Sequence, residues 1–220
     1  MIKPLNYTET HGTVKIFQCF SVIICDYLWP LYIISYTKSN ITSGDNSAMK
    51  NKKPRIGIVM GSDSDFPVME EALRVLDSFG VPYEVTISSA HRSPKRTGEY
   101  ARTAVTRGLQ IIIVGAGSAA HLAGVIAAET TLPVIGIPID SSPLKGIDSL
   151  LSTVQMPGGV PVATMAIGKS GARNAALFAV QILSLRYAEL RRKLINFKQA
   201  METEVHKKAE ELRKKLKIKT

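Results

Sequence analysis

Five short apolar runs recur along the middle of the chain, each rich in β-branched residues, at 55–60, 83–87, 109–114, 134–138 and 162–167. Longer segments near 66–79, 94–107, 119–129 and 171–185 separate them. In the first of these, Val68, Leu73, Leu76 and Phe79 recur at helical spacing. Strands that read as continuous apolar runs are buried on both faces, and the helical segments between them imply a parallel sheet. The pattern predicts an α/β protein: a three-layer α/β/α domain of flavodoxin-like type with right-handed crossovers. Ligands of such sheets sit beyond the carboxyl ends of the strands. After this alternation, residues 186–220 are dominated by Lys, Glu, Arg and Leu and predict one long C-terminal helix. Leu190, Leu194 and Phe197 would pack on the parent domain or on a neighbouring subunit, with a solvated, frayed end after about Met201.

The 220 residues suit one domain with extensions. Residues 1–48 form a leader unlike the rest, aromatic-rich over 17–36 and polar over 37–48. The stretch 16–36 is long enough to span a bilayer, but Asp26 and Pro30 interrupt it and Gln18 adds polarity. A charge at mid-helix costs about 2.5–3.5 kcal/mol on insertion scales, which argues against a membrane span. Nor is there the compact apolar core with a small-residue cleavage site that marks a signal peptide. Met49 begins Met-Lys-Asn-Lys-Lys-Pro, a polar start just before the first strand. Three readings of the leader follow: an over-extended start, a targeting or anchor segment, or an ordered appendage, the first being the most economical. The chain thus divides into a leader (1–48), a catalytic domain (49–185) and a basic helix (186–220).

The net charge of +10 suggests nucleic acid until it is located. Residues 1–48 are neutral, 49–185 carry 13 Lys/Arg against 10 Asp/Glu, and 186–220 carry 12 against 5. The excess belongs to the tail, where it reads as a solvated helix face rather than a nucleic-acid grip. Both cysteines, Cys19 and Cys25, precede the domain, so thiolate catalysis and a thiolate metal site are excluded from it.

Every candidate chemical group follows the end of a predicted strand. Gly61-Ser62-Asp63-Ser64-Asp65 follows the first and leads into a helix. The hydroxyls of Ser62 and Ser64 and the backbone amides there can receive phosphate oxygens. Asp65, which would repel phosphate, can accept hydrogen bonds from ribose hydroxyls; Ser64 or Asp65 could also simply cap the helix. Ser88-Ser89-Ala90-His91-Arg92-Ser93-Pro94 follows the second strand, with Pro94 suited to the first position of a helix. His91 can move a proton near neutral pH, and the Arg92 guanidinium can hold an anion. After the third strand, Gly115-Ala116-Gly117-Ser118-Ala119-Ala120-His121-Leu122 allows a flat ring to approach the backbone at Gly117. His121 is either a second site residue or a helix residue tying down that loop. The turn-rich Gln155-Met156-Pro157-Gly158-Gly159 segment could be a lid or a connector.

The chain has no glycine-rich dinucleotide fingerprint after the first strand and no Gly-Lys-Ser/Thr phosphate loop. The spacing of His91 and His121 is not that of a metal site, and there is no nucleophile elbow. A phospho-accepting receiver would need an aspartate where Gly115-Ala116-Gly117 stands. Acid–base chemistry by His91 on a phosphosugar compound, without cofactor or metal, remains.

Four ordered motifs carry a resemblance: Gly61–Asp65, Ser89–Pro94, Gly115–Leu122 and Asp148-Ser149-Leu150 with Gln155-Met156-Pro157. Over roughly 54–185 the chain resembles the bacterial-type N5-carboxyaminoimidazole ribonucleotide mutases of purine biosynthesis. The resemblance implies a cytoplasmic homo-octamer of flavodoxin-like subunits that uses no cofactor and moves a carboxylate from the exocyclic nitrogen to ring carbon 4. His91 would be the catalytic proton carrier, and Ser62, Ser64, Asp65, Ser89, Arg92, Gly117 and His121 would bind a phosphoribosyl substrate. An aminoimidazole ribonucleotide carboxylase using free carbon dioxide is the alternative. Two positions depart from the family pattern: Ser118, where a smaller residue is usual, and Ala123, where proline is common.

Overall fold

A computed structural model describes residues 53–216; the expectations for the 1–48 leader fall outside them. Five strands form one parallel sheet in the order β2-β1-β3-β4-β5. They are β1 (Ile56–Met60), β2 (Tyr83–Ile87), β3 (Ile111–Gly117), β4 (Val134–Ile139) and β5 (Ala163–Thr164). Among the described residues six α-helices accompany them: α1 (Phe66–Phe79), α2 (Pro94–Thr103), α3 (Leu122–Glu129), α4 (Ile147–Val154), α5 (Lys169–Ser184) and α6 (Ala188–Lys215). The expected three-layer flavodoxin-like architecture and the long C-terminal helix are both present.

Alternation along the strands divides the core in two. Ile56, Ile58 and Met60 of β1 face α1, α5 and the root of α6, whereas Val59 faces α2 and α3 with Ile112 and Val114 of β3. The α5 side is built on small residues, with Ala172, Ala175, Ala176 and Ala179 all fully buried. Glu71 of α1, itself buried, accepts a hydrogen bond from Arg173 of α5 at 2.8 Å and couples the two helices. Leu190 and Leu194 are buried in this same cluster, and the Phe197 ring meets Phe79 edge-on at 5.8 Å. These contacts seat the first turns of α6 on the parent domain, one of the two expected partners. From Lys198 to Leu216 every residue is exposed, yet the helix runs on to Lys215 without fraying.

Several boundaries differ from those read in the sequence. β3 extends to Gly117 because Gly115–Gly117 keep their ladder partners on β4, Ile137 to Ile139. β5 shrinks from six residues to two, since only Ala163 and Thr164 align with Ile135 and Gly136. Beyond them, single bonds from Met165 N–H to the Gly136 carbonyl and from Gly168 N–H to the Pro138 carbonyl replace the ladder. α3 starts at Leu122 rather than 119, and α2 ends at Thr103 rather than 107. β2 is not buried on both faces: as an edge strand it leaves Val85 and Ile87 exposed.

Candidate active site

β1, β3 and β2 stand side by side across the point where the strand order reverses, the place where open α/β sheets bind ligands. Their following loops, with Ser141 after β4, enclose a cleft of about 350 Å³. Ser62, Ser64, Asp65, Ser89, His91, Arg92, Gly117 and His121 all line it. Residues up to 80 positions apart in sequence, Gly61 and Ser141, therefore border one space.

The first wall is a capping box. Ser62 N–H donates to Asp65 Oδ2 at 3.0 Å, and the Ser62 hydroxyl accepts from Ser64 N–H at 3.4 Å. Ser62 is thus the capping residue, and Asp65 returns the bond while also bordering the cleft. Asp65 is only 4% exposed, and burial raises its carboxyl above the ordinary range against the pull of the Ser62 amide. The native state therefore keeps this proton to higher pH than the unfolded chain does. Stability consequently falls as pH rises from the ordinary aspartate range through the native value. Asp65→Asn retains an acceptor for Ser62 N–H and should flatten that decline, as a pH series of urea unfolding curves on both proteins would reveal.

The second wall folds on itself. Ser88, buried, bonds the Thr97 hydroxyl at 2.8 Å and sends its N–H to the Met60 carbonyl at 3.0 Å. Ser89 accepts from the Arg92 backbone N–H at 3.2 Å and from Arg92 Nε at 3.4 Å, while Ser93 N–H returns to the Ser89 carbonyl at 2.9 Å. The Arg92 guanidinium also donates to the Gly61 carbonyl at 3.3 Å, joining this loop to the first. The knot leaves His91 and Arg92 exposed at the cleft.

The third wall brings the two histidines together. His91 Nε2 and His121 Nδ1 lie 2.8 Å apart, with rings nearly perpendicular at 84° and centroids 5.0 Å apart. One nitrogen must donate and the other accept, so the tautomer of each ring dictates that of its neighbour. His121 sits just before α3 and borders the cleft. Thirty residues of sequence separate the pair, and no local pattern announces the contact.

Ser118 has φ +53°, a conformation that favours glycine. Ser118 is exposed and borders the cleft. At Gly117 an added Cβ would lie 1.7 Å from Ser141 Oγ and 3.2 Å from the Ile139 carbonyl oxygen. Ser141 is a cleft residue that sequence reasoning missed as a candidate; its position just past β4 was the available signal. The Gln155-Met156-Pro157 segment does not border the cleft of the single chain. Met156 packs instead beside Gly124, and Ser149 is buried, bonded to the Ile139 and Gly146 carbonyls. Within one chain this segment joins α4 to β5 away from the cleft.

The profile of the family described as AIR carboxylase matches residues 55–204. The N5-carboxyaminoimidazole ribonucleotide mutase of Pyrococcus horikoshii is 58% identical over 165 residues, 75% of this chain and 92% of that protein. The phosphoribosylaminoimidazole carboxylase of Candida albicans is 52% identical over 180 residues, 81% of this chain but 31% of that longer protein. The crystal structure of Treponema denticola PurE superposes with a TM-score of 0.66 at 26% identity, covering 73% of this chain and 99% of its own. On the profile match and on the identity to the Pyrococcus protein, this chain belongs to the AIR carboxylase family.

Proposed function

We propose that the chain is an isomerase of de novo purine synthesis, converting N5-carboxyaminoimidazole ribonucleotide to 4-carboxy-5-aminoimidazole ribonucleotide. The observation that carries this reading is the near-full-length identity with the Pyrococcus mutase. The cleft, with its paired histidines and its arginine, supplies groups suited to the chemistry.

In this reading His91 gives a proton to the carbamate nitrogen. The nitrogen–carbon bond breaks, its electron pair stays on nitrogen, and carbon dioxide is released beside the ring. Ring carbon 4 then attacks the carbon dioxide with the enamine electron pair. Its proton passes to His91, which returns to its starting state. Keeping the gas beside the ring is an effective-concentration effect, since escape would convert the mutase into a decarboxylase. His121 holds the His91 ring and its tautomer. Arg92, set by Ser89, and the Ser62–Ser64 turn hold the phosphate; Asp65 meets the ribose, and the bare backbone at Gly117 lies under the ring. Residues 49–185 would be the catalytic domain, 186–220 the basic helix and 1–48 a leader outside the catalytic unit.

The working state is proposed to be a cytoplasmic homo-octamer. Its support is a row of exposed apolar residues, Leu144, Ile147, Leu151 and Val154, on and just before α4. Among the described residues no helix is long and apolar enough to cross a membrane.

Offering the purified protein the carbamate substrate, or the unmodified ribonucleotide with bicarbonate, tests the reading. Turnover should require the carbamate. Turnover only with bicarbonate would instead support a carboxylase, the activity in the name of the Candida protein.

A further inference from the structure

The face of α6 that anchors it to the domain continues past the domain. Leu190, Leu194 and Phe197 lie in the core cluster or against it. The same spacing of three and four residues then runs on through Met201, Val205, Ala209, Leu212 and Leu216. Val205 is 66% exposed, Leu212 56% and Leu216 58%, while Met201, 45% exposed, borders a groove that it shares with Leu177, Phe178 and Gln181 of α5. At 1.5 Å per residue, 201–216 is a rod about 22 Å long with an apolar stripe along one side. The family profile ends at residue 204, so most of this rod lies beyond it.

We propose that the stripe is a self-association surface: 201–216 pairs with the same segment of a second copy, the two helices antiparallel. The charges beside the stripe select both partner and direction. Successive residues turn about 100° around a helix, which places Glu202 and Arg213 along one flank and Glu204, Lys208, Glu211 and Lys215 along the other. A two-fold axis perpendicular to the helices brings each flank against its own counterpart. Glu202 then meets Arg213 of the second copy, Glu204 meets Lys215, and Lys208 meets Glu211. In the same register Met201 layers on Leu216 and Val205 on Leu212. A parallel pair joins opposite flanks and sets Glu202 against Glu204 and Arg213 against Lys215, so like charges oppose it.

The charge balance also argues against other occupants. Residues 201–216 hold five Lys/Arg and four Glu, so the rod is almost neutral. Neither an anionic membrane nor nucleic acid gains much from it. Glu204 already reaches Lys208 one turn along its own helix, an exposed pair of the weak kind. Glu202 has only a longer contact of this kind, 3.9 Å to His206 Nε2, so the Glu202–Arg213 pair is the cleaner probe.

The test uses the full chain with Cys19 and Cys25 changed to Ser, carrying either Ala209→Cys, beside the proposed axis, or Met201→Cys, far from it. Mild oxidation should link Ala209→Cys chains in pairs and leave Met201→Cys chains unlinked. Adding Glu202→Arg to Ala209→Cys should lose most of the linked species, and adding Arg213→Glu as well should restore it. No link at Ala209→Cys, equal linking at both positions, or a yield indifferent to the charge reversals would overturn the proposal. Binding of the wild-type chain to phosphatidylserine vesicles, abolished by Leu212→Asp and unaccompanied by the link, would assign the stripe to membranes instead.

Discussion

Replacing His91 by Asn should leave a folded protein that still binds the ribonucleotide but turns it over about 10²–10⁴-fold more slowly, the range for a lost general acid–base group. His91 is exposed at the mouth of the cleft and contributes nothing to either core cluster. A substitution at such a surface position shifts stability by only about 0.5 kcal/mol. Asn keeps a polar group near His121 Nδ1 but cannot take up and return a proton in this chemistry. kcat and kcat/KM should therefore fall together, with substrate affinity by calorimetry nearly unchanged. A rate close to wild type would remove His91 from the proton path, whatever its contact with His121. A large loss of affinity with kcat preserved would make it a binding residue instead.

Gly171→Ala should cost more stability than any change at the rim of the cleft. An added Cβ would lie 1.6 Å from the Ala166 carbonyl oxygen and 2.7 Å from its carbonyl carbon. Both are backbone atoms, so no side chain can rotate aside. Gly171 sits in the first turn of α5, and Ala166 lies in the stretch held to β4 through Met165 and Gly168. Relief would require moving the helix off the sheet. Overpacking of this kind costs about 1–3 kcal/mol, and a protein of this size loses roughly 2–4 °C in melting temperature per kcal/mol. Calorimetry should show a drop of several degrees, against almost none for the control Gly158→Ala, where a Cβ meets nothing within 4 Å. Equal melting temperatures for the two variants would show that the α5 contact yields easily.

Much of this arrangement was legible along the chain because it is periodic. α1 and β2 occupy the segments that apolar spacing predicted, and each candidate group lies beyond a strand end. What the pattern could not hold is what arises between elements. β5 was overestimated because the apolar run at 162–167 records burial, whereas strand length depends on how many residues find partners on β4. The double use of Asp65, as a capping acceptor and a cleft wall, depends on a turn conformation that composition does not encode. The imidazole pair needs β3 to carry its glycines three residues past the expected end and deliver His121 opposite His91. Ser141 was overlooked for a related reason: its place against Gly117 is set by the β3–β4 register.

The brevity of β5 has a consequence for how the molecule breathes. With two residues in the ladder, that margin has the least to lose when the backbone opens locally, while β1, β3 and β4 share long runs of partners. The loops bearing Ser62, His91, Arg92 and His121 hang from β1, β2 and β3, on the opposite flank of the sheet. Fraying can therefore begin at one border of the domain while the reacting groups keep their mutual spacing, so transient opening there need not interrupt a catalytic cycle.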